Sequence, residues 1–240
     1  MTRHGDHAVV MAAGEGTRLR PVTERWAKPV LPIDGRPVLA TLLRELAGAG
    51  IGRVWLVTGH LARQVEALAG DGSAFGLEIV TVDQPRPDGS ADALSRALAA
   101  GAAPPLLLSA ADTVFPAGAV HDFARAWAAS GADGAIAARA GGGPAHTTHL
   151  QVEDGRIVRI RDPGGQVTAA PLMGLGDAVV GEVPAVCRPP FKAPYEVADA
   201  FQRTIDAGGQ VAAIPTGATR DLTDPLDLVE ENFPYLQGLM

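Results

Sequence analysis

The segment that most constrains this chain is the apolar run Ala8-Val9-Val10-Met11-Ala12-Ala13, which stops abruptly in the loop Gly14-Glu15-Gly16-Thr17-Arg18-Leu19-Arg20-Pro21. A strand feeding a glycine turn, followed by further strand, loop and helix units, predicts a parallel sheet covered by helices. The next strands are expected at Val54–Thr58, Leu77–Val82 and Leu106–Ala110, with helical spacing of apolar residues over 37–49, 61–69, 90–100 and 117–129. In an open sheet of this kind a ligand sits at the carboxyl ends of the strands.

After about residue 140 the pattern changes. Gly141-Gly142-Gly143-Pro144 reads as a flexible joint, and His149–Val152 with Arg156–Ile160 flank the turn Glu153-Asp154-Gly155 as a β-hairpin. An apolar stretch over 171–180 leads to a helix around 195–207, a strand over 210–214 and a last helix near Asp224-Pro225. With 240 residues, 47% of them hydrophobic and 20% charged, the chain reads as a single domain over 1–240, with a ligand-binding part to about 140 and a second part beyond it.

No apolar run approaches the about 20 residues that span a bilayer, and the polar start Met1–His7 does not head a signal peptide. The single cysteine, Cys187, forms no internal disulfide or thiolate zinc cluster, so a cytoplasmic protein with no membrane partner is expected. A net charge of -7 argues against nucleic acid as a partner. Against that background Arg18, Arg20, Arg25 and Lys28 crowd together, where they could hold an anion. The glycines let backbone N–H groups approach phosphates, while Arg18 and Lys28 neutralise charge. The segment lacks both the P-loop pattern and the third glycine of the dinucleotide fingerprint.

The motif does not stand alone. Ala12–Thr23 with Lys28-Pro29 matches A-x-G-x-G-T-R-L-x-P-x-T followed by K-P, and the chain resembles the sugar-1-phosphate nucleotidyltransferases, or NDP-sugar pyrophosphorylases, over nearly its whole length. Gly70–Leu77 resembles that family's D-G-S-x-x-G turn, and Gln84 with Gly89-Ser90-Ala91 its Q…G-T-A segment. The resemblance implies a Rossmann-like α/β fold: a mostly parallel sheet, helices on both faces and a small β-hairpin insertion for the acceptor. It implies that Met11, Ala12, Ala13 and Gly14 hold the base with Gln84, that Gly16, Thr17, Arg18 and Lys28 serve the phosphates, and that Gly89 and Ser90 close over base and ribose. Ser90 also suits a helix N-cap.

By the same resemblance Asp112 and Asp221 hold Mg²⁺, the hard cation that carboxylates and phosphates prefer. Glu196, in Tyr195–Asp199, accepts hydrogen bonds from sugar hydroxyls, and Gly174 lets the backbone meet the sugar. The implied partners are an NTP and a phosphorylated small-molecule acceptor, joined with release of pyrophosphate. UTP or dTTP is favoured, although the Gln84 amide can turn to offer donor or acceptor to uracil, thymine or cytosine. Where relatives carry E-K-P, this chain reads Arg161-Asp162-Pro163, so Arg161 or Lys192 is expected to supply the missing cation.

Two other readings fit the sequence: a cytidylyltransferase acting on a non-sugar phosphate or phosphonate, and a regulatory module that binds NTP without turnover. The histidine pairs His4 with His7 and His146 with His149 read as solvent-facing tail and hairpin residues, and His60 is assigned no chemistry.

Overall fold

A computed structural model describes residues 5–140, 148–161, 164–165 and 167–233. The first half runs β1 (His7–Ala12), the ribbon β2 (Pro32–Ile33) and β3 (Arg36–Pro37), α1 (Val38–Gly48), β4 (Arg53–Thr58), α2 (Ala62–Ala69), β5 (Glu78–Asp83), α3 (Ser90–Ala99), β6 (Leu106–Ala110), β7 (Thr113–Val114) and α4 (Ala119–Ser130). The second half comprises β8 (Gly134–Ala140), the hairpin β9 (His149–Glu153) and β10 (Arg156–Ile160), β11 (Val167–Leu175), α5 (Asp177–Val186), α6 (Val197–Asp206), β12 (Val211–Pro215), β13 (Arg220–Asp221) and α7 (Asp227–Glu230). Among the described residues no helix is long and apolar enough to cross a membrane.

The large sheet has the order β5-β4-β1-β6-β11-β8-β12-β10-β9. Its first four strands are parallel, and because β4 lies on one side of β1 and β6 on the other, the chain direction across the sheet reverses at β1. The crevice at such a reversal is where open α/β sheets bind ligands. β11 runs antiparallel to both β6 and β8, and its first residues also pair with β9, so the strands at that end close into a ring of pairings. The buried residues Val10, Leu56 and Leu107 face α1 and α4 on one side of the sheet, while Val9, Val57 and Leu108 face α3, α5 and α6 on the other. Alternate strand residues thus serve two cores, as the strand period of two requires.

The strands expected in the first half form within a residue or so of their expected ends, because each is a run of apolar residues closed by glycine or polar residues. The apolar stretch over 171–180 resolves differently. Its first part belongs to the nine-residue β11, whose register against β8 shifts between Ala169 and Met173, around Pro171. Its second part opens α5, which carries Pro184 inside it. Valine-rich sequence and an internal proline disfavour a helix locally. Burial of Val179, Val183 and Val186 against Val197, Ala200 and Phe201 of α6 overrides that preference. The alanine-rich β8 carries no strong strand signal, and the expected glycine joint at 141–144 lies outside the described residues.

Candidate active site

A cavity of about 410 Å³ opens at the carboxyl ends of β1 and β6 and is lined by the glycine loop, Lys28, Gln84, Gly89, Ser90, Asp112 and Glu196. The loop is shaped by its own residues. Gly16 sits at φ +61°, and an added Cβ would lie 2.9 Å from Thr23 Cγ2, so glycine is needed for conformation and for space. Thr23 Oγ1 donates to Gly16 O at 2.8 Å, and His60 Nε2 meets Thr23 O at 2.8 Å, tying the loop to the end of β4. Gly14 differs, because a Cβ there would meet no atom of the described residues within 4 Å. What it leaves open is cavity, the space in which a phosphate could approach the backbone. Arg18 and Thr17 are exposed on the cavity side, while Leu19 between Arg18 and Arg20 is buried with Leu222, Leu31 and Ile33.

That buried leucine pair matters for the acidic residues. Leu222 follows Asp221, so packing Leu19 with Leu222 in one buried cluster fastens the glycine loop to the segment bearing the second carboxylate. The two-residue ladder of β7 and β13 pairs Asp221 with Thr113, directly after Asp112. Asp112 Oδ2 accepts from Lys28 Nζ at 2.5 Å, so its carboxylate already faces a cation. Asp221 is open to solvent along one edge, yet crowding by protein atoms, the largest influence, raises its pKa above the ordinary carboxylate value. Lys28 opposes that rise, the negative charge of Asp112 adds to it, Arg139 opposes it and Asp227 adds to it. Two carboxylates this close, one of them reluctant to ionise, form a donor set that a divalent cation would relieve. The described residues hold no group of three or more His, Cys, Asp or Glu able to bind a metal on their own, so such a cation would need phosphate oxygens as further ligands.

Gln84 is buried at 5% exposure, and its Nε2 donates to Gly89 O at 3.0 Å and to Asp92 Oδ2 at 2.8 Å. The amide is therefore not free to turn, which corrects the expectation from sequence. Gly89, at φ +107°, lets the backbone of Tyr195 approach: an added Cβ would lie 2.2 Å from Tyr195 O. Tyr195 N donates to Asp88 O at 2.7 Å, and Ala91 N donates to Tyr195 O at 2.8 Å, so this seam joins the start of α3 to the segment carrying Glu196.

The N-cap expectation for Ser90 is also corrected. Ser90 is the first residue of α3, with Gly89 before it and no side-chain cap. Its hydroxyl accepts from Val197 N at 2.8 Å, in the first turn of α6, and donates to Glu196 Oε2 at 2.5 Å. Glu196 is thereby fixed in the cavity wall. Asp224 accepts from Leu226 N at 2.8 Å in a turn that precedes α7.

Three expected acceptor residues do not line the cavity. Gly174 pairs with Leu107, at the amino end of β6, where a Cβ would lie 2.4 Å from the Trp127 ring. It is glycine to admit the indole, not a sugar, and the substrate-binding expectation for Gly174 is withdrawn. Arg161 is ion-paired with Asp199 at 2.5 Å, and Lys192 is exposed on the loop before Tyr195. Asp162, the acid in place of a lysine, lies outside the described residues, as do His4 and His146. His7 pairs with Asp6 at 2.8 Å and packs on Trp55, while His149 Nδ1 meets Gly165 O at 3.0 Å.

Sequence reasoning missed Asp92 and Arg139. Arg139, near the end of β8, donates from Nη1 to Thr219 Oγ1 at 2.7 Å and leaves Nε buried without a hydrogen-bond partner among the described residues. A lone arginine in an alanine-rich strand was the available signal.

With this geometry in view, relationships to known proteins become informative. The MobA-like NTP transferase domain model matches residues 8–219, and the chain belongs to that family. It is 30% identical over 230 residues to a glucose-1-phosphate thymidylyltransferase of Streptomyces griseus, covering 94% of this chain and 64% of that protein. Against the enzyme of the same name from Streptomyces antibioticus it is 30% identical over 243 residues, covering 97% of this chain and 67% of the other. The chain thus spans about two thirds of the length of these relatives. The inositol-1-phosphate CTP transferase of T. maritima superposes with a TM-score of 0.81 at 20% identity, covering 99% of this chain and 96% of that one, a likeness of fold. The sheet and its flanking helices are those of the nucleotide-diphospho-sugar transferase-like fold.

Proposed function

We propose that the protein is a nucleotidyltransferase that joins an NTP to a sugar 1-phosphate, giving an NDP-sugar and pyrophosphate in the cytoplasm. The observation that carries this reading is the convergence of the glycine loop, Lys28 and Asp112 on one cavity where the sheet changes direction, with Asp221 laddered beside them. The Streptomyces relatives, named for thymidylyl transfer to glucose 1-phosphate, support the same class of substrates.

In this reading the part of the chain to about residue 140 binds the nucleotide. Met11 to Gly14 and Gln84 hold the base, Gly89 lies over base and ribose, and Gly16, Thr17 and Arg18 take the phosphates. Ser90 acts by holding Glu196, whose Oε2 it occupies, leaving Oε1 to accept from a sugar hydroxyl. Arg161 is committed to Asp199 and Lys192 lies outside the cavity lining, so neither cation expected from the sequence is offered to the acceptor phosphate in this arrangement.

An acceptor phosphate oxygen is already an anionic nucleophile and needs no general base. It forms a bond to the α-phosphorus as the bond to the β-phosphate oxygen breaks, and pyrophosphate leaves in line. Lys28 and Arg18 offset the charge gathering on the equatorial and leaving oxygens, and the rigid loop fixes the line of attack. Mg²⁺, which Asp112 and Asp221 would hold, supplies further charge neutralisation to the phosphates. A matrix of NTPs against phosphorylated acceptors, read by pyrophosphate release, tests the proposal. Release that depends on a sugar 1-phosphate is the expected result, and NTP binding with no release for any acceptor would favour a regulatory module instead.

A further inference from the structure

The wall of the cavity that would meet the base is set by a side chain outside the family signature. Gln84 spends both amide hydrogens inside the protein, on Gly89 O at 3.0 Å and Asp92 Oδ2 at 2.8 Å. Neither partner can donate in return. A backbone carbonyl only accepts, and Asp92 Oδ2 also takes Arg96 Nε at 2.7 Å, so that oxygen already serves as an acceptor to a second donor. Turning the amide over would set its oxygen against two acceptors. Gln84 Oε1 is left with no hydrogen-bond partner among the described residues, and it is not sealed in, since the side chain lines the cavity.

We propose that Asp92 is a positioning residue for base choice: by holding the Gln84 amide it presents Oε1 alone to the base. The site then takes nucleotides whose base offers a ring N–H there. Uracil, thymine and guanine carry such an N–H, whereas cytosine and adenine carry a lone pair on the corresponding ring nitrogen. The inference rests on the proposed function, in which Gln84 meets the base. It goes further by naming the class of base and the residue that enforces it. A lone pair facing Oε1 leaves two acceptors opposed, a mismatch worth about tenfold or more in affinity.

Equilibrium binding of UTP, dTTP, GTP, CTP and ATP, each with Mg²⁺, to the full chain and to Asp92→Ala tests this without knowledge of the acceptor. In the wild type at least one of UTP, dTTP and GTP should bind about tenfold or more tighter than both CTP and ATP. Removing the carboxylate leaves Gly89 O as the one acceptor holding the Gln84 amide, so Asp92→Ala should narrow that gap by about tenfold, with CTP or ATP gaining. An equal loss for all five nucleotides would mark Asp92 as merely structural and overturn the proposal. Tightest wild-type binding of CTP or ATP would overturn it even if Asp92→Ala fails to fold. Failure of the wild type to bind any NTP would remove the functional reading itself, an outcome distinct from binding in the wrong order.

Discussion

The two halves of the cavity are built in different ways. On the side proposed for the nucleotide, residues adjacent in sequence are adjacent in space: β1 runs into Gly14 and Gly16, and Lys28 follows within the same run of short helical turns. On the side proposed for the acceptor, Glu196 of the cavity wall and Asp221 and Arg139, which lie outside its lining, come from three separate elements and are placed by distant partners: Ser90, the β7 ladder and Thr219. A local motif needs only its own backbone geometry, whereas a site assembled from afar depends on every seam that joins it. Substitutions on the first side should therefore act on chemistry or on loop conformation, and on the second side through positioning.

The largest effect is expected at the junction of the two. Asp112→Asn keeps the shape of the side chain but removes the charge that faces Lys28, and turnover should fall by about a hundredfold or more. Near-normal pyrophosphate release at saturating Mg²⁺ would take Asp112 out of the metal role. The two glycines come next and should separate. Gly16→Ala forces a Cβ at positive φ against Thr23 and should cost about 1–3 kcal/mol of stability, seen as a lower melting temperature. Gly14→Ala meets no atom of the described residues, so it should melt normally while the KM for NTP rises. Equal melting losses for both would mean that the glycine loop is shaped only for its own fold.

Smaller changes are expected across the halves. Glu196→Gln retains a hydrogen-bonding oxygen beside Ser90 but loses the charge, so the KM for the sugar phosphate should rise by about tenfold with the KM for NTP little altered. An unchanged acceptor KM would break the assignment. For Asp221 the sign follows from its raised pKa. The folded, metal-free protein holds this proton more tightly than the unfolded chain does, so the penalty of ionising Asp221 is present above its folded pKa and relieved as pH falls through it. Binding of Mg²⁺ requires the ionised form and should weaken at a higher pH than an ordinary carboxylate would dictate. Asp221→Asn should therefore leave the metal-free protein slightly more stable at neutral pH while lowering its response to Mg²⁺. A drop in metal-free stability would contradict that environment.

This contrast also explains what could be read from sequence. Gly14, Gly16, Arg18 and Lys28 announce themselves by spacing, and the strands up to β6 by apolar runs with clean ends. The strand β11 and helix α5 were obscured because Pro171, Gly174 and Pro184 are local breakers that tertiary pairing and packing overrule. Gly174 misled for a related reason: glycine opposite a buried tryptophan looks, in sequence, the same as glycine beside a ligand. The hydrogen bonds of Asp92 and Ser90 could not be read from sequence, since each is made to a partner that only folding brings within range.

The central claim is tested most directly by a crystal structure of the protein with Mg²⁺ and a non-hydrolysable NTP analogue. The account predicts phosphates along Gly14 to Arg18, with Lys28 and a metal on Asp112 and Asp221 beside the α-phosphate. A nucleotide bound elsewhere, or a metal that touches neither carboxylate, would contradict it.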